Sequence, residues 1–339
     1  MSVNTGPPSP PEDFSGGTSP APTGPALTGP AVLAPSVGFG GAERSAMAPS
    51  AGAASFGSGR RWEFLHFALR NPKLMIGLGV ELIFVVVAIF GPLLAPYSPT
   101  YHGTPGLHPS AQHLFGTTYP FGTDVFSQVL YGVRDSYVVG ALGALFAGAV
   151  GLVVGFAAGY RGGVLDEILQ LFTNVMICIP QLVLLIVISA YLTTRGVLFE
   201  GIFIGVTGWP WVARAVRAQT FTLRERDFVD LARLSGRRAV SIVVKDIAPN
   251  MASYIFLVFV LLFASSMLVA VNFDFLGLGP TNGLSLGDIM NQSTLWSALD
   301  LHMWWWFIPP GAALTLMVLA LYIANVGLDE VFNPKLRQT

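Results

Sequence analysis

Charge is what this chain has least of. Of its 339 residues only 11% are Asp, Glu, Lys or Arg, while 53% are hydrophobic; a soluble domain carries about 25% charged residues. The deficit excludes an ordinary soluble globular protein and points to an integral membrane protein. The net charge of −1 gives nucleic acid no bulk attraction. Lysine is nearly absent: Lys73, Lys245 and Lys335 are the only three, and none follows a glycine-rich loop. No GxxxxGK[ST] occurs, so the chain has no P-loop with which to hold a nucleotide. HExxH and the kinase signature set are missing too, and without clustered His, Asp or Glu in the apolar runs a membrane enzyme is not expected. The single cysteine, Cys178, excludes an intrachain disulfide and a CxxC metal or redox motif; in an apolar run it reads as a small helix-packing residue. Acids are scarce in the apolar runs, with Glu81 standing alone in the first and expected to face a neighbouring helix. An ion-coupled carrier needs several ionisable groups at membrane depth. Energy for uphill movement of a solute would therefore come from a partner.

Two regimes are present. Residues 1–59 hold 10 Pro and 11 Gly, with only Glu12, Asp13, Glu43 and Arg44 charged. Such a segment cannot bury enough apolar surface to offset its chain entropy and reads as a disordered cytoplasmic tail. Beyond it, six apolar stretches approach the ~20 residues that cross a hydrocarbon core: 75–95, 136–159, 168–192, 197–216, 247–272 and 303–328. The fourth is the most dilute, containing Thr207 and Pro210. With the N-terminus inside, 16 of the 18 Lys and Arg residues fall on the cytoplasmic side, and only Arg134 and Arg195 fall outside. That bias sets both orientation and an even number of spans. The expected organisation is the tail, then 60–135 (first span and external loop), 136–330 (a core of five further spans) and a cytoplasmic C-terminal tail, 331–339.

The external loop 96–135 carries His102, His108 and His113 without zinc-type spacing; solvated loop histidines are expected rather than a metal cluster. Its last piece, TDVFSQVLYGVRD, has near-helical apolar spacing and is expected along the outer membrane surface. Gly151, Gly155 and Gly159 make two GxxxG steps, which permit close helix contact within the subunit or in a dimer. Pro180 and the Trp209-Pro210-Trp211 step are expected to kink their helices. Trp304, Trp305 and Trp306 stand where an interfacial aromatic belt belongs. Asn174, Gln181 and Asn272 are polar residues in or near spans; they are candidates for lining a passage, with helix-to-helix hydrogen bonding as the plainer role.

Between the fourth and fifth spans lies RERDFVDLARLSGRRAVSIVVKDIAPN (224–250). Phe228, Leu231, Ala232 and Ser235 recur at helical spacing, giving a short helix with a small apolar face and a basic remainder. Gly236 is expected to stop it. A short helix of this kind suits insertion into a groove on another protein; the plainer alternative is a basic loop resting on lipid headgroups.

This segment resembles the cytoplasmic coupling motif of ABC importer permeases, E-A-A, three residues and G, with an I-x-L-P ending further on. Asp230-Leu231-Ala232, Gly236 and Pro249 fall in register, with Asp for Glu and Leu for the first Ala; Asp246 and Ala248 depart from the ending. HLFGTTYPFGTDVFSQVLYGVRDSYVVG (113–140), GYRGGVLDEILQ (159–170), NFDFLGLG (272–279) and VGLDEVFNPKLR (326–337) are similar to one branch of that superfamily, the second permease of dipeptide, oligopeptide and nickel importers. The likeness covers about 60–339.

The resemblance implies an all-α membrane protein of the type I importer fold, with six transmembrane helices and a coupling helix near 226–240. It implies a homologous second permease, two cytoplasmic ATPase subunits or domains, an external solute-binding protein, and a place in the cytoplasmic membrane of a prokaryote with both termini inside. Phe228, Asp230, Leu231, Ala232, Arg233 and Gly236 would couple to an ATPase. ATP and Mg would bind the partners, leaving this chain without catalytic residues, metal or cofactor. Peptides are the expected cargo, with oligosaccharides or nickel as alternatives. A non-transporting scaffold that recruits a soluble partner is the alternative of another class.

Overall fold

In the computed structural model the described residues are 67–192 and 195–332. The expected 1–59 tail lies outside them, as does nearly all of 331–339. Among the described residues the chain is helical, apart from one isolated β-bridge between Thr117 and Asp124.

The organising element is α2 (Val125–Arg161), a helix of 37 residues. It begins at Asp124, whose carboxylate accepts from the Ser127 N–H at 2.8 Å, a side-chain N-cap. TDVFSQVLYGVRD therefore does not lie along the membrane surface. It enters α2 directly, because Val125, Val129 and Val133 are buried against Leu286, Ile289 and Met317.

α5 (Val197–Arg224) makes the most extensive contact with α2. The glycine stripe permits it: a Cβ on Gly151 would come within 2.5 Å of the Val212 Cβ, and one on Gly155 within 2.7 Å of the Val216 Cβ. The GxxxG steps thus serve packing within the subunit. α5 contains Pro210 within one continuous helix. α3 (Gly163–Cys178) and α4 (Gln181–Ala190) are bent by 79° at Ile179-Pro180, as expected, since proline removes a donor and disfavours helix at the residue before it. Cys178 is exposed at this break rather than packed.

α1 (Pro72–Leu94) pairs with the end of α10 (Trp304–Phe332). Asn71 Nδ2 and Lys73 Nζ both donate to Glu330, at 2.8 and 2.5 Å. Glu81 accepts from the Tyr137 hydroxyl on α2, so it does face a neighbouring helix. α8 (Ala252–Phe273) and α9 (Leu286–Leu295) complete the bundle.

Four helices are long and apolar enough to cross a membrane: Pro72–Leu94, Val125–Arg161, Ala252–Leu278 and Trp304–Phe332. The bent pair is a fifth if it crosses as one broken span. The expected fourth span, 197–216, lies within α5, which is long enough but diluted by polar residues, so length and composition by themselves pick out four or five of the six expected spans among the described residues. Large apolar side chains such as Leu82, Ile83 and Ile89 face outward on α1, as they do where the solvent is hydrocarbon.

The loop 96–124 closes one end of the bundle. His113 is buried there and meets Asp124 at 2.8 Å, unlike the solvated histidine expected, whereas His102 and His108 are exposed as expected, His108 with its ring near Trp305. No group of three metal-ligating side chains occurs among the described residues. Trp305 and Trp306 are buried, Trp305 donating to the Thr117 carbonyl at 3.3 Å. The expected aromatic belt thus reduces to the exposed Trp304, because the loop covers Trp305 and Trp306 is buried in the core.

Candidate functional site

At the opposite end the chain leaves α5 and forms α6 (Asp227–Leu234), eight residues that begin at Arg226. Asp227 and Asp230 sit in its first turn and Arg233 in its last, each charge placed to favour the helix dipole. The helix ends as expected at Gly236. The Gly236 N–H donates to the Arg233 carbonyl at 3.0 Å and the Arg237 N–H to the Ala232 carbonyl at 3.3 Å, the paired bonds of a Schellman motif. The motif demands a left-handed residue, and Gly236 has φ +72°.

The four residues expected to form one apolar face are divided. Phe228 and Ala232 turn inward with Val229, against Val212, Val216, Ile242 and Ile247. Leu231 and Ser235 turn outward with Leu234. Val229 is 0% exposed, while Leu231 and Leu234 are 64% and 84% exposed. One face bolts α6 to the bundle; the other offers two leucines. The expected single face is corrected by tertiary packing: Val229, overlooked in the sequence, takes the buried position, because α7 (Ala239–Ile242) and the wide helical turn after it come back underneath.

Ion pairs brace this end. Arg217 meets Asp166 with two bonds of 2.5 and 2.6 Å. Arg237 binds both oxygens of Asp246 at 3.0 Å, tying the cap to the returning segment. Arg233 bonds to Asp230 at 2.9 Å and lies over the Tyr160 ring. Pro249 lies in a short helical turn before α8, not inside the span.

The passage candidates do not come together. Gln181 Nε2 donates to the Ile204 carbonyl and to Thr207 Oγ1, at 3.1 and 3.0 Å, fastening α4 to α5. Asn174 Oδ1 accepts from Arg214 at 2.8 Å. Asn272 is exposed but donates to its own helix, at Leu268 O. The plainer role, bonding between helices, fits Gln181 and Asn174, while Asn272 bonds within its own helix. The sequence reading passed over a group at the far end of the bundle: Asp135, Glu200, Asp274 and Asp288, with Arg195. Its only linear signal was acids between 273 and 302, a stretch without Lys or Arg.

A helical bundle that bares apolar side chains, with a short capped helix exposing two leucines at one end, defines a polytopic membrane protein. Comparison with known proteins gives the family. The chain belongs to the binding-protein-dependent transport system inner membrane component family, matched over residues 151–338. Residues 62–112 match the N-terminal transmembrane domain of oligopeptide transport permease C. It is 31% identical over 271 residues to the dipeptide transport system permease protein DppC of Bacillus subtilis, covering 79% of this chain and 84% of the relative. The DppC of Alkalihalophilus pseudofirmus is 32% identical over 279 residues (79% and 88%). The oligopeptide transport system permease protein OppC of Bacillus subtilis is 28% identical over 280 residues (82% and 90%). The chain is therefore an ABC importer permease of the type I fold, an integral membrane component of a multi-component transporter and not an enzyme by family.

Proposed function

We propose that this permease moves di- or oligopeptides inward across the cytoplasmic membrane of a prokaryote, with both termini inside. It pairs with a homologous permease, receives cargo from an external solute-binding protein, and rests on two cytoplasmic ATPase subunits or domains that bind ATP and Mg. The observation that carries this reading is the divided α6. Val229 and Ala232 make the helix rigid with α2, α5 and α8, so force on the exposed Leu231 and Leu234 reaches the spans without being absorbed by a flexible loop. Asp230, Arg233 and Gly236 hold the helix in shape, and Phe228 is part of the bolt. Closure of the ATPase pair then drives alternating access. The peptide assignment rests on the names of the relatives; nickel and oligosaccharides are the other cargoes weighed.

The test is purification through this chain in mild detergent, comparing wild type with Leu231→Asp/Leu234→Asp. We expect P-loop ATPases to accompany wild type and to fall at least tenfold in the double variant, with the chain still in the membrane. Undiminished ATPase in the variant would sink the docking role, and a wild-type chain that comes alone would favour a scaffold.

A further inference from the structure

At the end of the bundle away from α6, four carboxyl groups meet. Asp135 comes from α2, Glu200 from the first turn of α5, Asp274 from the wide helical turn that follows α8, and Asp288 from α9. Asp135 and Asp288 have donors. Asp135 accepts from the Leu284 N–H at 2.9 Å, and Asp288 from the Ser285 N–H and hydroxyl at 3.2 Å each. The neighbouring cation, Arg195, donates to the Leu278 carbonyl at 3.1 Å. Glu200 and Asp274 differ. They are 7% and 1% exposed, and they lie within hydrogen-bond reach of one another. No N–H or O–H of the described residues completes a hydrogen bond to any of their four oxygens. The Ser285 hydroxyl sits beside Asp274 but gives its single proton to Asp288.

The place is closed. A Cβ on Gly279 would stand 2.8 Å from Asp274 Oδ1, and one on Gly287 would stand 2.6 Å from Asp274 Cβ, so backbone seals the carboxyl from two sides. The space on the Glu200 side, bordered by Ser189, Arg195 and Gly279, has room for a single water. Two carboxylates cannot both stay ionised here. Each has lost its hydration, each repels the other, and Asp135 and Asp288 add to the repulsion. One proton removes the conflict, because shared between facing oxygens it makes a charge-assisted O–H···O bond.

We infer that Glu200 and Asp274 hold one proton between them, and that this carboxyl–carboxylate bond is a clasp fastening the end of α5 remote from α6 to the end of α8. From Glu200 to Arg224, α5 runs about 36 Å at 1.5 Å per residue and leads into α6. Clasp and docking helix are thus the two ends of one rod. When the proton leaves, through the water-sized space to bulk water, two carboxylates face each other and repulsion parts α5 from α8. The folded pair keeps a proton that the separated acids of an unfolded chain release. The clasp is therefore made at low pH and broken as pH rises through the titration of the pair. That its parting alters access to a passage rests on the transport reading above; the shared proton does not.

The experiment uses the complex purified through this chain, in lipid nanodiscs, over a series of pH values. Infrared spectroscopy reads a protonated carboxyl by its carboxylic C=O band. Spin labels at Leu198→Cys and Leu276→Cys, both exposed positions beside the pair, read the separation of α5 from the end of α8 in a Cys178→Ser background. We expect an acid band that disappears at high pH, is missing from Glu200→Gln and from Asp274→Asn, and persists in Asp288→Asn. The label distance should lengthen with the same pH dependence in wild type. It should stay short throughout in Glu200→Gln, whose amide donates to Asp274 as the proton does. Asp274→Asn makes the same bond from the other side and serves should the Gln variant misfold. No acid band in wild type, or one undiminished in both neutral variants, overturns the inference. So does a label distance that ignores pH, or one that lengthens equally in the neutral variants, which would hand the response to Asp135 or Asp288. ATPase co-purification is scored separately, so a failed transporter reading and a failed clasp give different results.

Discussion

Arg217, Arg233 and Arg237, at the α6 end, each meet a carboxylate near the surface, and two leucines stand in the open. At the far end Glu200 and Asp274 are buried, and the loop 96–124 covers Trp305. One end spends its charge on shape and leaves apolar surface for a partner. The other hides carboxylates inside. The contrast teaches that composition, basic at one end and acidic at the other, is a weaker guide than pairing. Paired, half-exposed charges brace an element. Unpaired, buried ones create a demand that a ligand or a proton must meet.

The sharpest way to break this comparison is to place a buried charge at the α6 end. Val229→Asp puts a carboxylate among Val212, Val216 and Ile242 with no partner, and should destabilise by about 3 kcal/mol or more. Loss of the chain from membranes is expected, in contrast to the exposed Leu231→Asp/Leu234→Asp; a normal amount of Val229→Asp chain would show that α6 is not bolted down.

The far end should answer to pH. Burial pushes the Asp288 carboxyl up to about 6, against the lowering effect of the Ser285 donors. An acid whose pKa is higher in the folded state binds more protons folded than unfolded, so stability is greatest at low pH and falls as pH rises through about 6. The difference between pH 4.5 and pH 7.5 should be on the order of 2 kcal/mol, read as a falling Tm that flattens in Asp288→Asn. An equal slope in that variant would remove Asp288 from the account.

Glycine to alanine then compares the ends directly. At Gly279 the new Cβ would stand 2.3 Å from Asp288 Oδ1 and 2.8 Å from Asp274 Oδ1, so buried carboxylates must move, costing about 1–2 kcal/mol. At Gly236 nothing lies within 4 Å of the new Cβ. Only the left-handed backbone opposes it, costing about 1 kcal/mol. Tm should fall further for Gly279→Ala than for Gly236→Ala, while ATPase co-purification should suffer more in Gly236→Ala. The reverse ranking would mean that crowding around the acids is readily relaxed.

Much of this was legible in the chain. Long apolar runs, the Gly236 stop and the break at Pro180 are local properties, set by transfer of side chains to hydrocarbon, by φ and by a missing N–H. The docking segment was found because it interrupts apolar sequence with charge. The apolar period that pointed to Phe228, Leu231, Ala232 and Ser235 named residues on the right helix but joined two faces, because Val229 looked no different from its neighbours until Ile242 and Ile247 folded back under it.

The sequence by itself determined that this protein lives in a membrane, that its basic end differs from its acidic one, and that a short helix ends at Gly236, since each follows from the chemistry of residues close together in the chain. Only the tertiary structure decided which leucines face outward, which tryptophans are buried, and that Glu200 and Asp274, 74 positions apart, share one site. Burial and pairing depend on what the rest of the chain brings alongside, and no local pattern of residues contains that information.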